Sequence, residues 1–440
     1  MNVQVPKVRG THDILPDDAA IYRFIDRTAR GIFELRDFSE IIIPTFERAE
    51  LFVRSTGETT DIVEKEMYTF QDKKGRMLAL RPEGTPGIVR AYLENNLDKK
   101  SPLTKFYYSG QMFRYDKPQE GRYREFFQAG CEYFGEPRPV ADAEVIFLMK
   151  EIFSRLGITG LHISINSLGC PECRKAYRDK LAAFLESIAS DLCDDCGVRI
   201  RKNPMRTLDC KIDAKKIKET NTPKILDFLC RQCSDHFSET VQLLKGINVD
   251  FEIDPYIVRG LDYYTRTVFE LTAGDSDALA AGGRYDNLIE QMGGAPTPAA
   301  GFALGIDRTV NLLKKSAAAN KTAGLSGTIG PATQNALATQ NAPADRNAPV
   351  AIISRPDVAS VRESLKLSKL LIAENIITAG PWPERSIKSQ MRLAETLGSG
   401  YAIITGEEEV AAGNYTLRDM TGRSQEKLTA GEIKTRLLRR

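Results

Sequence analysis

Tyr107-Tyr108-Ser109-Gly110-Gln111-Met112-Phe113-Arg114-Tyr115 and Arg124-Glu125-Phe126-Phe127-Gln128-Ala129-Gly130-Cys131-Glu132 are two aromatic-rich, alternating runs separated by the polar stretch Asp116 to Tyr123. Alternate side chains of an extended chain face opposite sides, so this pattern predicts two strands of an antiparallel pair. The connection is longer than the commonest hairpin turns, and long loops more often carry function than short ones. It contains Gln119 and Arg122. Farther along, Val258-Arg259-Gly260-Leu261-Asp262-Tyr263-Tyr264-Thr265-Arg266-Thr267-Val268-Phe269-Glu270 gathers arginines, tyrosines and carboxylates around one glycine. It reads as a loop entering a strand, and that density of polar groups suits a pocket for a small charged ligand. Composition alone equally fits an edge strand with a solvated face. Ala281-Gly282-Gly283-Arg284-Tyr285-Asp286 and Gly301-Phe302-Ala303-Leu304-Gly305-Ile306-Asp307-Arg308 each set an arginine near glycines, which let a ligand approach the backbone closely.

Taken in order, these segments resemble the histidyl-tRNA synthetase family of class II aminoacyl-tRNA synthetases. Arg9-Gly10-Thr11-His12-Asp13-Ile14-Leu15-Pro16 resembles the family's opening segment, and Ile43-Pro44-Thr45-Phe46-Glu47 its first class II motif. Arg81-Pro82-Glu83-Gly84-Thr85 follows; the hairpin resembles the second motif, Arg259 to Glu270 and Ala281 to Asp286 the two histidine-specific signatures, and Gly301 to Arg308 the third motif. The resemblance implies an α+β chain with a class II antiparallel-sheet catalytic core, a helical insertion and a C-terminal α/β anticodon-binding domain. It implies activation of L-histidine by ATP to histidyl-adenylate, then transfer of the histidyl group to the 3' end of tRNA(His).

Both steps move negative charge, and a guanidinium holds phosphate oxygens better than an ammonium. By resemblance, Arg259 and Arg114 are the catalytic residues, with Arg114, Arg122 and Arg308 binding ATP. Histidine presents an ammonium, a carboxylate and two ring nitrogens, one donor and one acceptor when neutral. The resemblance assigns Glu83, Thr85 and Gln128, beside Gly84, to the ammonium, Glu132 with Tyr264 to the ring, and Tyr263 to the shape of the pocket. Gln119 matches the residue that reads an extra 5' guanosine on the tRNA. Magnesium is expected to accompany ATP. A homodimer is expected, with the first motif at its interface.

The same fold serves a regulatory subunit of the first enzyme of histidine biosynthesis, which binds histidine and makes no adenylate. Members of that group usually lack the full signature at 259 to 266 and an anticodon domain; this chain carries both.

With 61 basic and 59 acidic residues the net charge is +2, so any nucleic-acid surface must be a local patch. A hydrophobic share of 42% and a charged share of 27% belong to a soluble globular chain, and 440 residues suggest more than one domain. No apolar run approaches the roughly 20 residues of a membrane span, and the N-terminus does not read as a secretion signal, so a cytoplasmic protein without membrane contact is expected.

Motif placement divides the chain into a core from 1–168 and 251–315, an inserted helical Cys-rich domain from 169–250, a flexible linker from 316–348 dominated by Ala, Thr, Asn, Gln, Gly and Ser, and an anticodon-binding domain from 349–440. Seven of the eight cysteines fall in the insert, as Cys170/Cys173, Cys193/Cys196, Cys210 and Cys230/Cys233. Paired Cys-x-x-Cys units in a reducing compartment favour a structural zinc over disulfides, and Cys170, Cys173, Cys193 and Cys196 have a suitable spacing. Other pairings, or simply reduced thiols, fit as well.

Overall fold

The computed structural model describes residues 5–57, 60–119, 121–274, 277–322 and 348–439. The hairpin forms as expected: Thr104–Phe113 pairs antiparallel with Glu125–Phe134, in a register running from Thr104 opposite Phe134 to Phe113 opposite Glu125. It is part of an eight-stranded sheet ordered Ser39–Glu40, Thr104–Phe113, Glu125–Phe134, Ala299–Gly305, Ala280–Arg284, Thr265–Ala273, Leu161–Ser167, Glu252–Ile253. The inner pairings are antiparallel, and only the two short outermost strands run parallel to their neighbours. The hairpin, Thr265–Ala273, Ala280–Arg284 and Ala299–Gly305, which resemble separate motifs, are thus adjacent strands, although Phe134 and its partner Ala299 lie far apart in sequence.

Helices cover one face of this sheet. Pro16–Glu34 buries Ile25, Ala29, Ile32 and Phe33, spaced as one helical stripe, and starts with proline, whose missing N–H costs nothing in a first turn. Pro139–Arg155 is buried over most of its surface, because the sheet covers one side and helix Arg231–Gly246 the other. Phe237, Leu243 and Leu244 of that last helix join the main core, so the separate part of the insert ends near Cys230 and not at 250. The remainder is built from Pro171–Ser187, Asp194–Lys202, the 3-10 turn Pro204–Asp209 and Ala214–Glu219.

Helix Ile306–Thr322 takes up the first positions of the expected linker, and 323–347 lie outside the described residues. From Val350 the chain forms a second, five-stranded sheet ordered Thr378–Ala379, Val350–Ser354, Tyr401–Thr405, Tyr415–Asp419, Gln425–Leu428. Its first three strands are parallel and the rest antiparallel, with helices Val358–Ala373, Ile387–Thr396 and Ala430–Leu438 beside it. The two parts are pinned together by Arg36. Its buried guanidinium pairs with Glu144 at 3.0 Å and donates to Ser368 Oγ at 3.0 Å, Thr378 Oγ1 at 2.7 Å and the Gly380 carbonyl at 2.6 Å. Among the described residues, no helix is long and apolar enough to cross a membrane.

Candidate active site

On the sheet face opposite the covering helices, two buried carboxylates sit in a ring of hydroxyls. Glu83 accepts from Thr56 Oγ1 at 3.0 Å and from the Tyr263 hydroxyl at 2.9 Å. Glu132 accepts from Thr85 Oγ1 at 2.6 Å and from the Tyr285 hydroxyl. Burial pushes Glu83 above the ordinary carboxylate range against the pull of Arg114, Tyr263 and Thr56. Burial likewise pushes Glu132 up to about 8, with Thr85 and Tyr285 opposing and Glu83 adding to the rise. Neither forms an ion pair with a cation among the described residues, although burying a carboxylate without one is costly. A cationic ligand would complete the arrangement. Tyr263, Tyr264 and Tyr285 wall the pocket, with ring centroids 4.7 Å and 5.6 Å apart for Tyr263–Tyr264 and Tyr263–Tyr285. Space is made by glycine: a Cβ at Gly301 would collide with Glu132 Oε2, and one at Gly84 would meet the Tyr108 ring at 2.6 Å.

Beside this acidic pocket lies a basic rim. Arg114, just past the first hairpin strand, is held by Nε on the Pro82 carbonyl at 2.9 Å and lies over the Phe126 ring, 5.4 Å from its centroid. Arg122, on the connecting loop, pairs with Asp116 at 3.1 Å. Arg308, in the first turn of helix Ile306–Thr322, donates to the Ala278 carbonyl at 2.6 Å and stands 3.8 Å from Asp277. Arg259 pairs with Glu270 at 3.2 Å, while its Nε is buried with no partner. Burial lowers the Arg308 pKa, and after the opposing pull of Asp277 the charges of Arg122, Arg114 and Arg259 lower it further. Arg308 thus lies within the field of three other arginines, a costly gathering of like charge that an anion would relieve. Gln128 Oε1 is also buried and unpartnered, another polar atom left for a ligand.

Of the residues expected from sequence, Glu83, Thr85, Glu132, Tyr263 and Tyr264 come together in the acidic pocket, and Arg114, Arg122, Arg259 and Arg308 lie close enough to act on it or on one another, whereas Gln119 does not join them. Thr85 spends its hydroxyl on Glu132, so it orients a carboxylate and does not face a ligand alone. Gln119 is exposed at the tip of the hairpin connection, where its backbone bridges to Arg122, away from the acidic pocket. Arg284, read as an arginine beside glycines near a ligand, lies elsewhere: it is wholly buried, pairs with Asp142 at 2.5 Å and donates to the carbonyls of Glu136 and Arg138. Asp142 also meets His236 at 3.2 Å, and Arg284 with His236 holds its carboxyl well below the usual range against the effect of burial. Sequence reasoning missed Tyr285 and Thr56, whose hydroxyls hold the two carboxylates. It also missed Arg206 of the insert, which donates to the Arg259 carbonyl at 3.3 Å and pairs with Asp61 at 3.1 Å. The Tyr285 neighbourhood was legible in the Ala281 to Asp286 signature; nothing local marks Thr56 or Arg206.

The cysteines also pair differently from the spacing. Cys170 and Cys173 converge with Cys230 and Cys233, whereas Cys193 and Cys196 converge with Cys210 and Asp213.

Residues 10–309 match the family described as histidyl-tRNA synthetase, and residues 349–440 match the anticodon binding domain. The histidine-tRNA ligase of Elusimicrobium minutum is 43% identical over 97% of this chain and 97% of its own length. That of Aquifex aeolicus is 42% identical over 98% of this chain and 100% of its own. Among solved structures, apo histidyl-tRNA synthetase of Staphylococcus aureus superposes with a TM-score of 0.57 at 31% identity, covering 99% of each chain.

Proposed function

The chain belongs to the histidyl-tRNA synthetase family, and from that premise we propose which of its residues carry the two reactions. It activates histidine with ATP and charges tRNA. In the first step a histidine carboxylate oxygen forms a bond to the α-phosphorus, the bond from that phosphorus to the bridging oxygen breaks, and pyrophosphate leaves. In the second, the terminal adenosine hydroxyl of the tRNA attacks the carbonyl carbon, AMP leaves with the carboxylate oxygen, and the hydroxyl proton passes to phosphate or solvent.

The observation that carries the assignment is the acidic pocket beside the basic rim. Glu83 and Gln128 receive the ammonium of histidine, Glu132 and Tyr264 the imidazole, and Thr85, Tyr263 and Gly84 fix the carboxylates and the space between them. Histidine then lies with its own carboxylate toward the arginines. A site that pairs both ring nitrogens rejects apolar amino acids, which would leave Glu132 and Tyr264 without partners. Arg114 and Arg259 hold the α-phosphate as charge builds on it, and Arg122 and Arg308 hold the rest of the triphosphate. The buried, unpartnered Nε of Arg259 supports that role. Magnesium, which ordinarily takes one or two carboxylates plus phosphate oxygens, would screen the triphosphate; Glu270, partly exposed beside Arg259, is a suitable protein oxygen.

Gln119, projecting from the rim, is suited to the 5' end of tRNA(His), and the 349–440 domain to its anticodon. We place two copies of the chain together through the first-motif region, because Ile42, Phe46, Phe70 and Met77 expose apolar side chains around Pro44. Sedimentation as a monomer at micromolar concentration would contradict that. We also place this tRNA-charging chain in the cytoplasm. The decisive test is histidine-dependent exchange of pyrophosphate into ATP: exchange with histidine and with no other amino acid is expected, and silence from a folded protein overturns the assignment.

A further inference from the structure

We propose that the insert holds two structural zinc ions, one on Cys170, Cys173, Cys230 and Cys233 and one on Cys193, Cys196, Cys210 and Asp213. In each group the four ligand atoms all lie within 4.8 Å of one another. The Cys170 and Cys173 sulfurs are 3.5 Å apart, and those of Cys193 and Cys210 are 3.8 Å apart. Zinc–sulfur bonds of about 2.3 Å in a tetrahedron place sulfurs about 3.8 Å from one another, far beyond the roughly 2.05 Å of a disulfide. Thiolates with at most one carboxylate, in closed sets of four protein ligands, select zinc in a structural role.

The backbone around both groups fits thiolate ligands. Cys170, Cys193 and Cys230 each occupy the N-cap position of a helix of nine or more residues, and Cys173, Cys196 and Cys233 follow in its first turn. N–H groups and the helix dipole there favour negative sulfur. The Cys230 N–H donates to Cys173 Sγ at 3.1 Å, and the Cys193 N–H to Asp213 Oδ2 at 2.9 Å. Cys173, Cys196, Cys210, Cys233 and Asp213 are buried, and Glu172 accepts from Cys170 at 2.8 Å on the solvent side of the first group.

The two ions have different work. The first ties the start of Pro171–Ser187 to the start of Arg231–Gly246, where the chain leaves the main core and returns to it. The second staples helices and turns too short to be stable alone. Between its ligands Cys196 and Cys210 lies the turn Pro204–Asp209, which carries Arg206 to the Arg259 carbonyl, while neighbouring Asn203 reaches Asp262 at 3.5 Å. Metal in the insert thereby props the loop that holds Arg259.

Elemental analysis of the full-length protein, purified without chelators, should find two zinc ions per chain. In the same native sample the seven insert cysteines should resist a thiol reagent and become reactive after treatment with pyridine-2,6-dicarboxylate. The Cys233→Ser and Asp213→Ala variants should each retain one ion. Cobalt substitution should give sulfur-to-metal absorption that is stronger per ion in Asp213→Ala, where four thiolates remain, than in Cys233→Ser. One zinc or none in a folded wild-type protein, or insert thiols that react at once, overturns the proposal. Metal content and thiol protection are read without substrates, so their failure leaves the histidine pocket untouched.

Discussion

The Tyr263 hydroxyl donates to Glu83 Oε2 at 2.9 Å, from a loop on one side of the pocket to the N-terminal end of a helix on the other. It is one of two hydroxyls that, against the upward push of burial, favour the ionised form of Glu83. Tyr263→Phe leaves that oxygen without a donor, at a cost of about 1–3 kcal/mol for a buried acceptor. The expected result is a histidine KM raised about 5- to 150-fold with the ATP KM unchanged, read by pyrophosphate exchange. Equal rises in both would show that Tyr263 shapes the whole cleft instead.

Glu132 gives a pH signature. Its carboxyl, ordinarily at 4.5, is raised to about 8 chiefly by burial. Between those values the folded chain retains a proton that the unfolded chain has released, so this contribution to stability is complete below about 4.5 and is lost as pH rises through about 8. The Tm of the free protein should therefore fall over that window more steeply than that of Glu132→Gln. Saturating histidine, whose cationic form favours the ionised carboxylate, should flatten the slope. Parallel curves for the two proteins would exclude Glu132 as the titrating group.

How much of this was legible follows from what kind of neighbour each residue has. The hairpin and Arg114 at its end could be read directly, because strand alternation is a local signal and the turn lies between its two strands. Glu83 and Glu132 were readable as motif members, but not the hydroxyls that hold them: Thr56 and Tyr285 reach their partners across 27 and 153 positions of sequence. Arg284 and Arg308 look alike in sequence, each near glycines. What separates them is Asp142 on a distant helix, which draws Arg284 into the core. The same limit governs the cysteines. Spacing identifies Cys-x-x-Cys units, but the fold of the insert decides that Cys173 meets Cys233 across its base.

Arg259 should act mainly on the chemical step. Its buried Nε has no partner among the described residues, and removing one donor to developing charge typically costs about 3–4 kcal/mol. Arg259→Ala should slow single-turnover adenylate formation by about a hundred- to a thousandfold, with ATP affinity little changed because Arg114, Arg122 and Arg308 remain. Rapid-quench measurement at saturating substrates checks this; a loss confined to ATP affinity would make Arg259 a binding residue only.

Arg36 tests whether the anticodon domain is a tethered module or part of the same folded body. Removing 349–440 is a poor test, since Val361, Leu365 and Ile372 pack into the main core and deletion would expose it. Arg36→Met is milder: it keeps the bulk but cuts the donors to Ser368, Thr378 and Gly380. Breaking a buried ion pair costs about 3–5 kcal/mol when the remaining charge is stranded. Here Lys105 stays 2.7 Å from Glu144, so a loss nearer 3 kcal/mol is expected in urea unfolding. Because Arg36 faces away from the acidic pocket, pyrophosphate exchange below the unfolding transition should persist while tRNA charging weakens as the two sheets lose their fixed relation. Equal loss of both activities would mean that Arg36 supports the catalytic core itself; unchanged stability would mean that the remaining apolar contacts alone hold the domains together.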